Sequence, residues 1–273
     1  MRQSLRMSDC IDLPGLTDYL AAELCRRHKG DLLICGLSGA QGAGKSTIAA
    51  ALQDALAARN LHCLILALDD FYLPQAARQK LAEDIHPLCR TRGVPGTHDV
   101  ARLRDVLAAL RDGQTVRLPR FDKTSDERVA LTAEDTLTTL PDIVLLEGWC
   151  VGARASMVAS APETEWEKNH DPQAVWKNWS RDAAADYQSV WQDCNMLVQL
   201  RQDDFAQVID ARWLQERGNA ARSGRWQFES RAAVAEFCAH YESWTKALWR
   251  DLPADADIVI DRAADFSYRR AKP

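Results

Sequence analysis

The sequence lacks several features that mark other classes of protein. No apolar run in its 273 residues approaches the about 18 residues that a membrane-spanning helix needs. The first residues contain no apolar stretch long enough for a secretory signal peptide, so we expect none. Positive charge is also scarce, since 34 Lys and Arg against 39 Asp and Glu give a formal net charge of −5. Nucleic acids and membrane surfaces are usually bound by a basic face, so we expect neither as a partner.

The eight cysteines lack the close spacing of a structural metal site, because no two of them form a Cys-x-x-Cys pair. Cys35 and Cys63 lie inside apolar runs, where a free thiol packs as a small hydrophobic side chain. We therefore expect reduced cysteines and a cytoplasmic protein.

Five short apolar runs bounded by turn-forming residues predict buried strands. The runs are nearly continuous rather than alternating, as expected for parallel strands covered by helices on both faces. Segments with helical spacing of apolar residues separate them, so the chain predicts an α/β fold with right-handed crossovers. The predicted strands are residues 31–37, 61–68, 142–147, 195–200 and 257–260, and the predicted helices are residues 16–27, 46–58, 99–111, 205–217 and 230–249.

Two stretches interrupt the alternation of strands and helices. Residues 113–135 predict a short β excursion with a polar loop. Residues 153–190 are polar, lack a clear strand and are too long for a plain loop, so we interpret them as a helical insertion near the functional face. Its tryptophans are expected to pin it to the core rather than to form a wall for a ligand. The length suits about two domains, but the absence of a linker favours one domain over residues 1–273.

The strongest motif is Gly-x-x-x-x-Gly-Lys-Ser, which begins at Gly39 between a predicted strand and a predicted helix. Its glycines let consecutive backbone N–H groups curl around an anion, and the start of the helix adds a positive dipole end. Lys45 can reach the β- and γ-phosphates, and the Ser46 hydroxyl can bind Mg²⁺. No Asn-Lys-x-Asp guanine motif is present, so ATP is the expected nucleotide. The predicted nucleotide-binding residues are Gly39, Ala40, Gln41, Gly42, Ala43, Gly44, Lys45, Ser46 and Thr47.

Carboxylates follow two of the predicted strands. Asp69 and Asp70 come directly after the second strand, and Glu147 closes the third. Ligand sites in open α/β sheets lie outside the carboxyl ends of the strands, where a carboxylate can accept the proton of an attacking hydroxyl. Glu147 is expected to hold Mg²⁺ directly or through water. The residues alone leave open that Asp69 and Asp70 are instead a helix cap or a surface pair.

The loop over residues 86–99 concentrates positive charge in an otherwise acidic protein. Its two glycines and two prolines predict a shaped loop, and its arginines suit the capture of a carboxylate or phosphate. A second Arg/Asp pair follows in residues 118–123. Both segments could also be ordinary solvated surface.

Together these segments resemble the phosphate-loop kinases of small metabolites, such as uridine kinase, pantothenate kinase and phosphoribulokinase. More narrowly, the chain resembles the D-glycerate 3-kinase family of plants and fungi. The segments that carry the likeness are LDDFYL (68–73), RGVPGTHD (92–99), PRFDK (119–123) and LEGWCVG (146–152). RGVPGTHD is the most discriminating. Residues 208–216 (VIDARWLQE) match more weakly, because Ala211 replaces a tryptophan of the family pattern, and residues 153–190 match poorly.

The resemblance implies a P-loop NTPase-type three-layer sandwich with a parallel sheet and a helical lid over about residues 205–225. It implies a phosphotransferase with an alcohol acceptor that converts ATP and D-glycerate to ADP and 3-phosphoglycerate. Asp69 would be the base, while Lys45, Mg²⁺ on Ser46 and Glu147, and Arg212 of the lid would offset charge on the transferred group. The expected acceptor-binding residues are Asp70, Tyr72, Arg90, Arg92, His98, Asp99 and Arg120.

Two other functions remain open at this stage. The acceptor could be a nucleoside, pantothenate or a sugar phosphate, or the protein could be an ATP-binding regulator without an acceptor. The cluster of arginines favours a small anionic metabolite as the partner. A regulator needs nucleotide contacts but no acceptor pocket, so the combination of Asp69, Glu147 and the RGVPGTHD loop disfavours it. The oligomeric state is not indicated by the sequence.

Overall fold

The computed structural model describes residues 10–271. The expectation about a signal peptide therefore falls partly on residues outside the described range, as do the ends of the predicted 1–273 domain. The strands are β1 (Cys10–Ile11), β2 (Leu33–Gly39), β3 (Cys63–Ala67), β4 (Val116–Arg117), β5 (Phe121–Asp122), β6 (Glu127–Arg128), β7 (Thr136–Leu137), β8 (Ile143–Gly148), β9 (Met196–Gln202), β10 (Ile258–Arg262) and β11 (Tyr268–Arg270). The helices are α1 (Leu13–Arg27), α2 (Lys45–Ala57), α3 (Gln75–Asp84), α4 (Val100–Arg111), α5 (Glu165–His170), α6 (Val175–Ala183), α7 (Gln188–Gln192), α8 (Phe205–Ser223), α9 (Arg231–Ala239) and α10 (Glu242–Asp251).

A seven-stranded sheet in the order β1-β11-β10-β9-β2-β8-β3 forms the centre of the fold. Its strands β10, β9, β2, β8 and β3 run parallel, and β11 and β1 continue one edge in antiparallel pairing. All five predicted strands lie in this parallel part, so the predicted α/β class is confirmed. Because β2 is the central strand between β8 and β9, the loop that follows it opens at the middle of the sheet edge.

Both faces of the sheet are buried, which explains why its strands read as continuous apolar runs. Ile34 and Val144 face a core packed by α4 and α10, whereas Cys35 and Leu145 face a second core packed by α1 and α2. Successive residues of a strand point to opposite faces, so one strand supplies both cores. The layers are therefore helix, sheet and helix, as the resemblance implied.

One predicted helix is wrong. The apolar pattern over residues 230–249 predicts a single helix. The structure instead has two helices, α9 and α10, with a break at His240 and Tyr241. The break turns the Tyr241 side chain inward, where its hydroxyl donates a hydrogen bond to the Arg92 carbonyl (2.8 Å). His240 packs its ring against Trp176 at 4.6 Å between ring centroids. Helical spacing of apolar residues does not reveal such a break.

The two irregular stretches have the predicted character. The β excursion contains two small antiparallel pairs, β4 with β7 and β5 with β6. The insertion contains α5, α6 and most of α7, joined by short 3₁₀ turns. Trp176 is fully buried in the core beneath it, and Trp166, Trp179 and Trp191 pack against the same core, which supports a packing role for its tryptophans. All eight cysteines are free thiols. Across residues 10–271, every helix is too short or too polar to cross a membrane.

Candidate active site

The phosphate loop joins β2 to α2 at the central edge of the sheet. Gly42 has a left-handed backbone (φ +71°), and a Cβ there would lie 2.5 Å from the Cβ of Ala211 on α8. Glycine is therefore required for both conformation and space. The small side chain of Ala211, where the resembled family has tryptophan, allows α8 to approach the loop this closely. The first turn of α2 has no side-chain cap and no acidic residue, so its N–H groups suit a phosphate.

The predicted lysine and the predicted Mg²⁺ ligands meet beside this loop. The Lys45 ammonium donates to the carbonyls of Gly39 (2.8 Å) and Ala40 (3.1 Å). Burial lowers the pKa of Lys45, and the nearby carboxylates of Glu147 and Asp69 oppose part of that shift. The Ser46 hydroxyl donates to Oε1 of Glu147 (2.9 Å), because β8 pairs with β2 and ends opposite the start of α2. A hydroxyl and a carboxylate oxygen at this separation fit the oxygen-rich shell of Mg²⁺.

Asp69 lies just beyond β3, the strand next to β8, in a single 3₁₀ turn over Leu68–Phe71. Its Oδ1 accepts a hydrogen bond from the Tyr72 hydroxyl (2.8 Å), and its Oδ2 accepts one from the Lys123 ammonium (2.5 Å). Burial favours the neutral acid and raises the pKa of Asp69. The charge and hydrogen bond of Lys123 and the hydrogen bond from Tyr72 outweigh this effect, so the pKa of Asp69 falls to about 2. Asp69 is therefore an oriented carboxylate at neutral pH, not a helix cap.

Lys123 is the residue of this site that the sequence did not single out. It belongs to the PRFDK segment, in which attention fell on the Arg/Asp pair. Its position next to Asp122, at the end of a strand-like run, was the feature of the sequence that could have indicated a role in the site.

Three further predicted residues make contacts within the protein. Asp70 accepts a hydrogen bond from the Phe121 backbone N–H (3.1 Å), and burial raises its pKa. The Tyr72 ring stacks on His98 at 4.6 Å between centroids. Asp99 caps α4 through the Arg102 N–H (3.1 Å) and pairs with the Arg128 guanidinium (2.9 Å). Both Asp99 oxygens are thus used within the protein, so its contacts shape the site from behind.

The four cationic candidates of the sequence separate into distinct environments. Burial lowers the pKa of His98 to about 4, so its ring is neutral at physiological pH. Arg120 is 67% exposed and 3.7 Å from Asp135, and Arg90 is exposed as well. Arg92 forms an ion pair with Asp126 and lies over the Tyr72 and Phe121 rings. Of these four, only Arg92 has its guanidinium over the ring of the Tyr72 that binds Asp69.

Aromatic side chains from distant elements hold the RGVPGTHD loop. Gly93 has φ +134°, and a Cβ there would lie 2.4 Å from Cε1 of Tyr241. The Trp149 indole donates to the Gly93 carbonyl (2.9 Å), so this tryptophan holds the loop. Tyr187 of the insertion accepts from the Gly96 N–H (3.1 Å) and hydrogen-bonds with Nδ1 of His98 (2.8 Å). The insertion therefore contacts the loop that the resemblance places at the acceptor.

Two other arginines escaped sequence reasoning. Arg78 of α3 is only 1% exposed, and its guanidinium donates to the carbonyls of Leu73, Arg90 and Asp126 (2.7–3.0 Å). Arg262, at the end of β10, donates to the Gly42 carbonyl (2.5 Å). Arg78 reaches Asp126, 48 residues away, and Arg262 reaches Gly42, 220 residues away, so no local pattern marks either arginine.

Arg212 of the predicted lid lies on α8, next to Ala211 and therefore close to the phosphate loop. Its guanidinium donates to Gln227 (3.0 Å) and lies 3.3 Å from a Glu216 oxygen. The side chain is only 12% exposed, and its guanidinium lies over the Phe228 ring. The Arg212 guanidinium is therefore engaged by Glu216 of α8 itself and by Gln227 and Phe228 of the segment that follows α8.

A phosphate loop at the centre of a parallel sheet, with Lys45, Ser46 and Glu147 around it, defines a P-loop kinase. The sequence model of the Phosphoribulokinase / Uridine kinase family matches residues 34–161. A Schizosaccharomyces pombe protein named "Uncharacterized kinase mug58" is 34% identical over 231 residues, which cover 79% of this chain and 80% of that one. The chain belongs to the phosphoribulokinase/uridine kinase family.

Two D-glycerate 3-kinases are also similar to the chain. The chloroplastic D-glycerate 3-kinase of Arabidopsis thaliana is 23% identical over 254 residues, which cover 87% of this chain but 53% of that protein. The solved structure of D-glycerate 3-kinase from Cryptococcus neoformans superposes with a TM-score of 0.75 at 21% identity, covering 96% of this chain and all of that one. The structural likeness concerns the fold.

Proposed function

We propose that the protein transfers the γ-phosphoryl group of Mg-ATP to the 3-hydroxyl of D-glycerate, giving ADP and 3-phosphoglycerate. The resemblance of LDDFYL, RGVPGTHD, PRFDK and LEGWCVG to D-glycerate 3-kinases supports this acceptor, and so does the similarity to the Arabidopsis enzyme of that name. A kinase with another acceptor and an ATP-binding regulator are the alternatives.

The observation that carries the proposal is the Asp69 carboxylate, held ionised by Lys123 and Tyr72 at the same sheet edge as the phosphate loop. Phosphoryl transfer depends mainly on positioning and on neutralising charge. Asp69 would orient the acceptor hydroxyl and take its proton. A pKa of about 2 makes Asp69 a weak base in the free enzyme, so orientation of the hydroxyl is the larger part of its task.

The phosphate side of the site fits the same reaction. Lys45 would donate to the phosphate oxygens in place of the loop carbonyls that it now binds, and the α2 N–H groups would hold the β-phosphate. Mg²⁺ held by Ser46 and Glu147 would neutralise charge on the β- and γ-phosphates. Arg212 would approach the transferred group if α8 moves as a lid, since neighbouring Ala211 already lies against Gly42.

The setting of this activity is part of the proposal. The eight free thiols support a reducing, cytoplasmic location. The expected partners are a nucleotide and a small anionic metabolite, without nucleic acid or membrane. One catalytic domain, with residues 153–190 as an insertion and α8 as its lid, would suffice for the reaction.

One acceptor panel tests the proposed function against both alternatives. The purified protein is incubated with Mg-ATP and D-glycerate, L-glycerate, uridine, pantothenate or ribulose 5-phosphate, and ADP release is measured. Lys45→Met, which removes the phosphate-binding ammonium, serves as the background control. ADP release that depends on D-glycerate supports the proposal, and release with another acceptor replaces it by that kinase activity. ATP binding without release in any arm indicates the regulator.

A further inference from the structure

Lys123 occupies an unusual position for a lysine near a surface. It begins the turn between β5 and β6, 54 residues from Asp69 in sequence, and its ammonium is 2.5 Å from Oδ2 of that carboxylate. The Lys123 side chain is nevertheless 60% exposed. An ammonium that binds the proposed base on one side and faces open space on the other has donors left for a ligand, because it carries three N–H groups.

The turn that carries Lys123 is fixed by its neighbours. The Asp122 carboxylate accepts from the N–H groups of Thr124 (2.9 Å) and Ser125 (3.2 Å) and from the Ser125 hydroxyl (2.7 Å). Arg92 donates to the Lys123 carbonyl (3.4 Å). The backbone of Lys123 is therefore placed by hydrogen bonds, and only its side chain is free to reach between Asp69 and a ligand.

Arg92 belongs to this supporting structure. Its guanidinium forms an ion pair with Asp126 of the same turn and donates a hydrogen bond to the Lys123 carbonyl. The buried Arg78 binds Asp126 from the other side (2.9 Å). Arg92 therefore anchors the turn that carries Lys123 instead of offering an open fork to a carboxylate.

The other cations of the acceptor loop do not compete for the same task. His98 is neutral because burial lowers its pKa to about 4. Arg90 and Arg120 are exposed, and Arg120 faces Asp135. Lys123 is the candidate whose charged group the structure brings against Asp69.

We propose that Lys123 binds the carboxylate of the acceptor and, from the same position, orients Asp69 toward the acceptor hydroxyl. The proposal rests on the proposed glycerate kinase activity for the identity of the acceptor. In glycerate only two carbons, C2 and C3, separate the carboxylate from the 3-hydroxyl. A single ammonium beside Asp69 can thus bind the carboxylate while Asp69 meets the hydroxyl. Loss of the ammonium would weaken binding of anionic acceptors above all.

Lys123→Met tests the carboxylate contact, with Lys80→Met as the matched control on the exposed side of α3 and Lys123→Arg as the charge-preserving variant. We expect Lys123→Met to raise the KM for D-glycerate at least about tenfold while the KM for ATP changes less than about threefold. For glyceramide, the neutral amide of glycerate, kcat/KM should fall at least about threefold less than for D-glycerate, because this acceptor loses the orientation of Asp69 but no carboxylate contact. Lys123→Arg should recover part of the loss. An unchanged KM for D-glycerate, or equal losses with both acceptors, would overturn the inference.

A second measurement needs no acceptor and separates this inference from the proposed function. The titratable groups that act on Asp69 are Lys123, Lys45, Asp70, the hydrogen-bonding Tyr72 and, where it is protonated, His98. Removing the closest of them, Lys123, leaves burial to dominate, so the pKa of Asp69 must rise from about 2. NMR titration of labelled aspartates, assigned with Asp69→Asn, should show a rise of at least about one unit in Lys123→Met.

The two failures are distinct. Wild-type protein that does not turn over D-glycerate refutes the proposed function. An Asp69 that titrates alike in wild type and Lys123→Met, at unchanged melting temperature, refutes the pairing of Lys123 with Asp69 whatever the acceptor is.

Discussion

Replacing Asp69 with asparagine removes the proposed proton acceptor while keeping the shape of the side chain. In the wild type, one oxygen accepts from Tyr72 and the other from Lys123. The amide can keep both contacts, because its oxygen can accept from Lys123 and its NH₂ group can donate to the Tyr72 oxygen. What the substitution removes is the negative charge, the site for the transferred proton and one of the two oxygens that could orient the acceptor hydroxyl.

The expected loss follows from this change. A positioned general base contributes typically about 10²–10⁴ in rate, so kcat should fall at least about a hundredfold, or about 2.7 kcal/mol of barrier. The contact with Lys123 loses the charge of the carboxylate, which costs about 1–2 kcal/mol of stability, and relief from burying a charge offsets part of it. ATP binding should change by less than about threefold, because the phosphate loop is untouched.

The assay compares Asp69→Asn with Asp84→Asn, an exposed carboxylate of α3 that pairs with Lys80. Acceptor-dependent ADP release gives kcat, calorimetric titration with Mg-ATP gives the Kd, and thermal unfolding confirms the fold. Near-normal turnover in Asp69→Asn would remove Asp69 as the base. A lost kcat together with a lost ATP affinity would instead point to collapse of the whole site.

Three further perturbations give distinct results. Gly42→Ala places a Cβ 2.5 Å from that of Ala211 on a left-handed backbone, so the KM for ATP should rise at least about tenfold in an ATP titration. Glu147→Gln weakens the Mg²⁺ site, so half-maximal activity should require more Mg²⁺, as a magnesium titration at saturating ATP would show. Burial lowers the pKa of His98 to about 4 and that of His240 to about 3, whereas both titrate near about 6.5 in the unfolded chain. The unfolded state therefore binds more protons in mild acid, and the melting temperature should fall between about pH 7 and pH 4, whereas a constant value would contradict the buried neutral state of both histidines.

The sheet and the phosphate loop were predictable because their signals are local. A strand buried on both faces needs a continuous apolar run, and Gly39 to Thr47 carry the loop's requirements in consecutive positions. Glu147 was predictable for the same reason, since a carboxylate that closes an apolar strand stands out. The resemblance then supplied Asp69 and the acceptor loop.

The cations of the acceptor side could not be ranked from the sequence. In the sequence, Arg92, Arg120 and Lys123 are all cationic residues in polar segments. In the structure, their side chains have different neighbours. Asp126 pairs with Arg92, Asp135 lies 3.7 Å from the largely exposed Arg120, and Asp69 binds Lys123. Partners 34 and 54 residues away make these distinctions, and no periodicity encodes them. The break at His240 escaped for a related reason, since the contact that Tyr241 makes there is with the distant Arg92 carbonyl.

Three aromatic side chains, Trp149, Tyr187 and Tyr241, hold the RGVPGTHD loop, and this has a consequence for when the protein can bind its acceptor. Trp149 follows β8, Tyr187 belongs to the insertion and Tyr241 precedes α10, so the loop is shaped only after three late segments of the chain have docked. The glycine-rich turn of the phosphate loop joins β2 to α2, which are neighbours in sequence, but Arg262 of β10 and Ala211 of α8 contact it as well. Both halves of the site thus draw on late segments of the chain, so acceptor-dependent turnover reports completion of the whole fold.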